Sequence, residues 1–272
     1  MSMDSQALTL VVSDMIIYSA GLAVSCCKLR VSNNCSGMNV LSFKPHINQV
    51  VQKSKAIWAF VKRQAKEFSC PYVSKALFCA LVRSKLEYCS VVWSPLFDCD
   101  IKRLESNQKQ FWLFALRDLG WAGSFVRPPY DARLNLVDMD SLTDRRTMAA
   151  CMFMRNALTD PKIISVESPV ISFLTNRTRS AARGLLRQLP VGRTRYQQNS
   201  PLRRCIAAFN DHPSAGSQNV NQHTAKVRLR KDFLEMRRLR LAARGYLNSS
   251  QSVNFIVIIV HDFFLKMIYF LS

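Results

Sequence analysis

Between Phe43 and Thr159 the apolar residues return every three or four positions, and that spacing admits helices and little else. In HINQVVQKSKAIWAFVKRQAKEF, the residues Ile47, Val50, Val51, Ile57, Phe60 and Val61 fall at spacings of three, four and seven. Lys53, Lys55, Lys62, Arg63 and Lys66 take the other side, giving an amphipathic helix with a basic outer face. Pro45 opens it, since its fixed φ suits a first helical turn. Pro71 opens a second helix, with Val73, Ala76, Leu77, Ala80 and Leu81 on one stripe. That helix runs into LVRSKLEYCSVVWSP (Leu81 to Pro95), where Ser94-Pro95 stops it because the proline ring drives the preceding residue out of the α region. Tyr88, Trp93 and Phe111 read as core.

A third helix begins near Asp98 or Asp100, either of which suits a cap, and runs through Ile101, Leu104, Gln108, Phe111 and Ala115 to a stop at Gly120. The segment YDARLNLVDM leads to a fourth long helix, capped by Asp140 or Ser141, with Leu142, Met148, Ala149, Met152 and Phe153 on its apolar face. After Thr159 the pattern decays. Asn176 to Arg204 is studded with arginine, Asp211 to His223 reads as a linker, and Lys226 to Arg244 is a basic helix. Before residue 41, Leu8 to Ala23 suits a helix or a strand and Cys26 to Asn39 reads as a loop. The expected architecture is mainly α: an unpatterned segment 1–40, a helical domain 41–160, a basic, partly disordered segment 161–246 and an apolar tail 247–272.

Net charge is +20, from 38 Lys/Arg against 18 Asp/Glu, which implies a polyanionic partner. RNA or DNA held by its phosphate backbone fits, as does an anionic membrane surface. Sixteen of the basic residues and three of the acids lie between Ile171 and Tyr246, so that stretch carries +13 of the total. The tail VNFIVIIVHDFFLKMIYFL has about the length of a bilayer span. His261, Asp262 and Lys266 near its middle oppose insertion, leaving a weak membrane association as the expectation. The nine cysteines are odd in number and include no C-x-x-C pair, and Leu8 to Val12 is too short for a secretory signal. Reduced thiols in an intracellular compartment, nuclear or cytoplasmic, are expected. Cys205, His212 and His223 lack a second thiolate pair for zinc, so no metal or cofactor is expected.

No glycine-rich phosphate loop or G-x-S-x-G motif occurs, and no small-molecule substrate is indicated. Two-metal phosphoryl transfer needs converging carboxylates, whereas Asp98/Asp100 and Asp138/Asp140 are i, i+2 pairs that read as helix caps.

Four motifs in order carry a resemblance: FKPHI (Phe43–Ile47), LVRSKLEYCSVVWSP (Leu81–Pro95), IKRLESNQKQF (Ile101–Phe111) and PYDARLNLVDMDSLTDRR (Pro129–Arg146). With RTRYQQNSPLRRCIAAFN (Arg193–Asn210), they are similar to the region downstream of the palm in reverse transcriptases of jockey-like non-LTR retrotransposons. The resemblance covers about Leu41 to Asn210. It implies a helical, thumb-like bundle that grips a template–primer duplex. The family's Tyr/Phe-x-Asp-Asp metal site has no counterpart in this chain, so the resemblance implies the grip without the polymerase centre. Residues 1–40 and the apolar tail have no family counterpart, which fits a truncated copy of the element. Polymerisation would require a palm from another chain, and a membrane-anchored basic protein using Phe255–Leu271 is the third reading. The expected phosphate contacts are Arg83, Lys85, Lys102, Arg103, Lys109, Arg145 and Arg146, with Arg193, Arg195, Arg203 and Arg204 as additional candidates.

Overall fold

The computed structural model describes residues 43–64, 71–116, 128–159, 186, 200–216 and 221–245, and their regular elements are helices. The mainly α expectation holds. Helix α1 (Lys44–Gln64) buries Ile47, Val51 and Val61, and contains no acidic residue. Lys62 and Arg63 occupy its last turn, where positive charge complements the helix dipole.

α2 (Pro71–Leu77) continues through a six-residue π-helical stretch, Phe78–Arg83, into α3 (Ser84–Glu87), with the junction residues Leu77 and Ser84 both right-handed helical. Phe78, Val82 and Leu86 are fully buried. They are four residues apart, and in an α-helix such a row drifts by about 40° at each step. The wider π turn offsets that drift and keeps all three on one face. α3 ends at Glu87, Tyr88 after it turns out of the helical region (ψ 123°), and Cys89, a non-glycine residue, is left-handed (φ 51°). One further turn, α4 (Ser90–Trp93), stops at Ser94, which is extended (ψ 131°) as its place before proline requires.

α5 (Asp98–Ala115) lies against α1. Asn107 donates to Ser54 Oγ at 2.8 Å, and the Trp58 ring stands edge-on to Phe111 and Phe114 at 4.9 and 5.2 Å. Arg103 meets Asn48 at 2.9 Å. Contacts that ascend together along both helices make α1 and α5 parallel.

α6 (Tyr130–Leu136) ends in a Schellman turn: Met139 N–H donates to Leu134 O at 2.9 Å and Asp138 N–H to Asn135 O at 3.2 Å, with Asp138 left-handed (φ 48°). α7 (Leu142–Thr159) follows, and Ser141 is its cap, its Oγ accepting from Asp144 N–H at 3.0 Å. Then come α8 (Pro201–Asp211), with Pro201 at its first position, the single turn α9 (Pro213–Gly216) and α10 (Gln222–Ala243).

Two apolar clusters form the interior. The first joins α1, the α2–α3 helix, α4, α5 and α6 around Phe78, Trp93, Phe111, Trp112 and Leu134, and includes Leu142. The second joins α7, α8 and α10 around Met154, Cys205, Ile206, Leu229 and Phe233, with Leu186. α7 belongs to both, so α8 and α10 share a core with the helices before residue 160. Asn210 fixes Leu186 from both sides, accepting from its N–H and donating to its carbonyl, each at 2.9 Å.

Several expectations are corrected. Trp93 and Phe111 are core, but Tyr88 is 45% exposed because the left-handed Cys89 turns the chain there. Phe97 occupies the cap position of α5, which leaves Asp98 and Asp100 inside its first turn. Helix α8 replaces the end of the arginine-studded stretch and part of the expected linker. Among the described residues no helix is long and apolar enough to cross a membrane, and the apolar tail lies outside them. Segment 1–40, Gly120, Arg193 and Arg195 also lie outside the described residues.

Candidate nucleic-acid interface

The basic residues divide into those the fold uses internally and those that face solvent. Arg204 of α8 belongs to the first group. It donates to Ser94 O at 2.5 Å, Val91 O at 3.0 Å and Val92 O at 3.1 Å, supplying donors to the last carbonyls of α4. Burial pulls its pKa below the usual arginine value. Arg145 clasps Glu87 with two hydrogen bonds, one of them Nη2 to Oε2 at 2.7 Å. Burial disfavours its charge, but the Glu87 carboxylate outweighs this and raises its pKa. Arg146 is buried, with Nη2 on Thr143 Oγ1 at 3.2 Å, and its pKa is lowered by that burial. Arg83 is half-buried between Met139 Sδ at 3.5 Å and Glu87 at 3.8 Å. Arg203 is half-buried, its Nε without a hydrogen bond among the described residues. These arginines do not form a free phosphate-facing row.

Helix α10 shows the same division. Four of its arginines, from the buried Arg237 to the exposed Arg244, meet the acids of α6, α7 and the turn between them. Arg230 pairs with Asp138 at 2.8 Å and Asp140 at 3.1 Å, and Arg244 with Asp131 at 3.6 Å. Arg237, fully buried, lies 3.6 Å from Asp140 and 3.5 Å from Asp144, and Arg240 lies 3.9 Å from Asp144. Asp138 and Asp140, expected as caps, are therefore receptors for arginines about ninety positions away. No local pattern signals such a pairing. Of α10's basic residues, Lys226, Arg228, Lys231, Arg238 and Arg240 are exposed, next to the acids Asp232 and Glu235, and Arg238 pairs with Glu235 at 3.6 Å.

The cations least opposed by acids lie on α1; on α5, which carries Asp98, Asp100 and Glu105, Arg103 is paired with Asp100 at 3.2 Å. Lys53, Lys55, Lys62 and Arg63 are all exposed on a helix without acids. Arg103 reaches Asn48 across the seam with α5, and Lys62 Nζ stands 5.5 Å above the Phe114 ring. Lys55, one heptad before Lys62, lies on the same row, so Arg103, Lys55 and Lys62 mark the seam at intervals of about 10 Å. Lys102 and Lys109 are exposed seven residues apart on α5, Lys109 Nζ 5.0 Å above the Tyr130 ring. Lys85 is exposed on α3. Thus the structure brings Arg103 to the α1 face, while Lys102 and Lys109 share another side of α5, Lys109 towards Tyr130 of α6; the basic outer face of the first helix was legible in its spacing, and the approach of Arg103 was not.

Beneath this face a buried polar network holds α5 to α6 and α7. Glu105 accepts from Tyr130 Oη at 2.5 Å and Leu142 N–H at 3.2 Å, and Gln108 Nε2 donates to Tyr130 Oη and Asp140 O, both at 2.9 Å. Burial, reinforced by the Glu105 charge, raises the Tyr130 pKa and keeps the phenol protonated. The motifs also meet one another directly. His46 stands edge-on to Trp93 at 5.3 Å, and its pKa is lowered by burial and by Lys53. Cys205 is buried and His212 packs on Phe233 at 4.7 Å; among the described residues no group of three or more His, Cys, Asp or Glu gathers as a metal would need. Compared with family models, curated proteins and solved structures, the chain matches none of them.

Proposed function

We propose that this chain is a helical grip for nucleic acid, derived from the post-palm region of a jockey-like non-LTR reverse transcriptase, and that it binds RNA or DNA by the phosphate backbone without polymerising. The observation that carries this reading is the basic face of α1: Lys53, Lys55, Lys62 and Arg63 on an acid-free helix, with Arg103 of α5 reaching its edge at Asn48. Such a face suits a row of phosphates and has no feature for reading base edges. The contacts between motifs are consistent with the resemblance: His46 with Trp93, Glu87 with Arg145, and Arg204 with the carbonyls of Val91, Val92 and Ser94 join the quoted segments to each other.

The test is binding of an RNA/DNA hybrid duplex of mixed sequence across a range of salt. Affinity should fall steeply and linearly on a log–log plot, with little change between sequences. Binding that is absent at low salt, or indifferent to salt, overturns the reading. Nucleotide incorporation by the chain alone in a primer-extension assay would overturn its second half.

A further inference from the structure

Helix α10 is attached in two different ways along its length. Its first half is seated by Ala225, Leu229 and Phe233, the last two in the second apolar cluster. Its second half buries only Arg237 and Leu241, while Met236, Arg238, Leu239 and Arg240 are exposed. What holds that half is the row of carboxylates Asp140, Asp144 and Asp131.

The fit is loose at its centre. Arg237 is fully buried and uses Nη1 well, donating to Met139 O at 2.8 Å and Asn135 Oδ1 at 3.2 Å. Its Nε and Nη2 nonetheless make no hydrogen bond, and neither does Asp144 Oδ2, although the charges lie 3.5 Å apart. A buried guanidinium with two unmet donors is an incompletely satisfied anion site, because its planar fork suits carboxylate and phosphate alike.

We propose that the arginine stripe of α10 that meets the α6–α7 acids, Arg230, Arg237, Arg240 and Arg244, is a second polyanion site, and that Asp131, Asp138, Asp140 and Asp144 occupy it in place of phosphates. The second half of α10 is then a strap that a long polyphosphate chain displaces from the α6–α7 acids. The stripe runs fourteen residues, about 21 Å along the helix, so an extended chain of phosphates should compete where single ions do not. This goes beyond the α1–α5 reading and does not depend on it, since it stands on the ion pairs alone.

The experiment is amide hydrogen exchange on the full chain, with and without inorganic polyphosphate, at constant ionic strength. Long-chain polyphosphate should speed exchange over residues 237–243 roughly tenfold while α7 stays protected, and orthophosphate at equal phosphorus should not. Asp138→Asn, which weakens an exposed pair and leaves Arg237 in place, should lower the polyphosphate concentration needed. Lys231→Gln/Arg238→Gln, on the outer face, should leave it unchanged. Unaltered exchange over 237–243 at saturating polyphosphate overturns the proposal, as does a response abolished by the outer-face variant. Failure of duplex binding in Lys55→Gln/Lys62→Gln leaves this response intact, which separates the two sites.

Discussion

Arg204 reaches from α8 to the carbonyl of Ser94, 110 residues earlier in the chain, at 2.5 Å. The contact closes α4 and joins the helices of the second cluster to those of the first. Its Nη1 and Nη2 are already committed to backbone carbonyls, which gives the residue a structural part.

Replacing it tests that role. Arg204→Gln leaves the α4 carbonyls short of donors and should destabilise the fold by about 2–3 kcal/mol, read from urea unfolding. The slope of duplex affinity against salt should stay as in the parent. A reduced slope with unchanged stability would return Arg204 to the phosphate contacts.

The exposed seam should behave in the opposite way. Lys55→Gln, Lys62→Gln and Arg103→Gln combined should lower the log–log salt slope by about three, near 0.9 per lost phosphate contact. Stability should move by less than about 0.5 kcal/mol for each of Lys55→Gln and Lys62→Gln, and by more for Arg103→Gln, which gives up its bonds to Asn48 and the buried Asp100. If the slope is unmoved, α1 and α5 are not the binding face.

Trp93 and Tyr88 share one corner and differ in consequence. Trp93 is fully buried and donates Nε1–H to Tyr88 O at 2.6 Å, so Trp93→Ala should cost about 3–5 kcal/mol. Tyr88→Ala, on the exposed side of that corner, should cost much less. Thermal melts of the two variants decide the matter, and comparable losses would contradict the packing described.

The thiols of Cys151 and Cys205 give a pH signature. Burial pushes each up to about 12 from an ordinary 9.0. At pH 8 both are protonated whether folded or not. Between pH 9 and 12 the unfolded chain releases protons that the folded chain keeps, so stability should fall as pH rises through that window. Urea midpoints at pH 8 and pH 10 should show the drop, and Cys151→Ala/Cys205→Ala should flatten it. Exposed Cys99 should react with a thiol reagent while these two do not.

Periodicity was enough to place α1, α5 and α7, and α10 was legible as a basic helix; on the second helix the stripe read at Val73, Ala76, Ala80 and Leu81 is exposed, and Phe78, Val82 and Leu86 are the buried row. Prolines marked the starts of α1 and α2 and the end of α4 for the same local reasons. The roles of the arginines were not legible. Arg146, Arg204 and Arg237 look in sequence like Lys85 or Arg238, and only the approach of distant acceptors distinguishes a buried guanidinium from a solvated one. Asp138 and Asp140 misled for the same reason, since a cap is a local bond and their partners lie on α10. The lysines of α1 were visible as a basic face, but the seam with α5 depends on the Asn48–Arg103 and Ser54–Asn107 contacts, which no spacing encodes.

The π turn at Phe78–Arg83 amounts to one surplus residue wound into an otherwise ordinary helix. Phe78, Val82 and Leu86 reach the interior at intervals of four only because that surplus is absorbed there. Deleting exposed Ala80 would change the intervals to three and four, the natural rhythm of an α-helix, and leave both flanks facing as they do now. This buried helix should therefore tolerate a one-residue shortening at that point and nowhere else along its length.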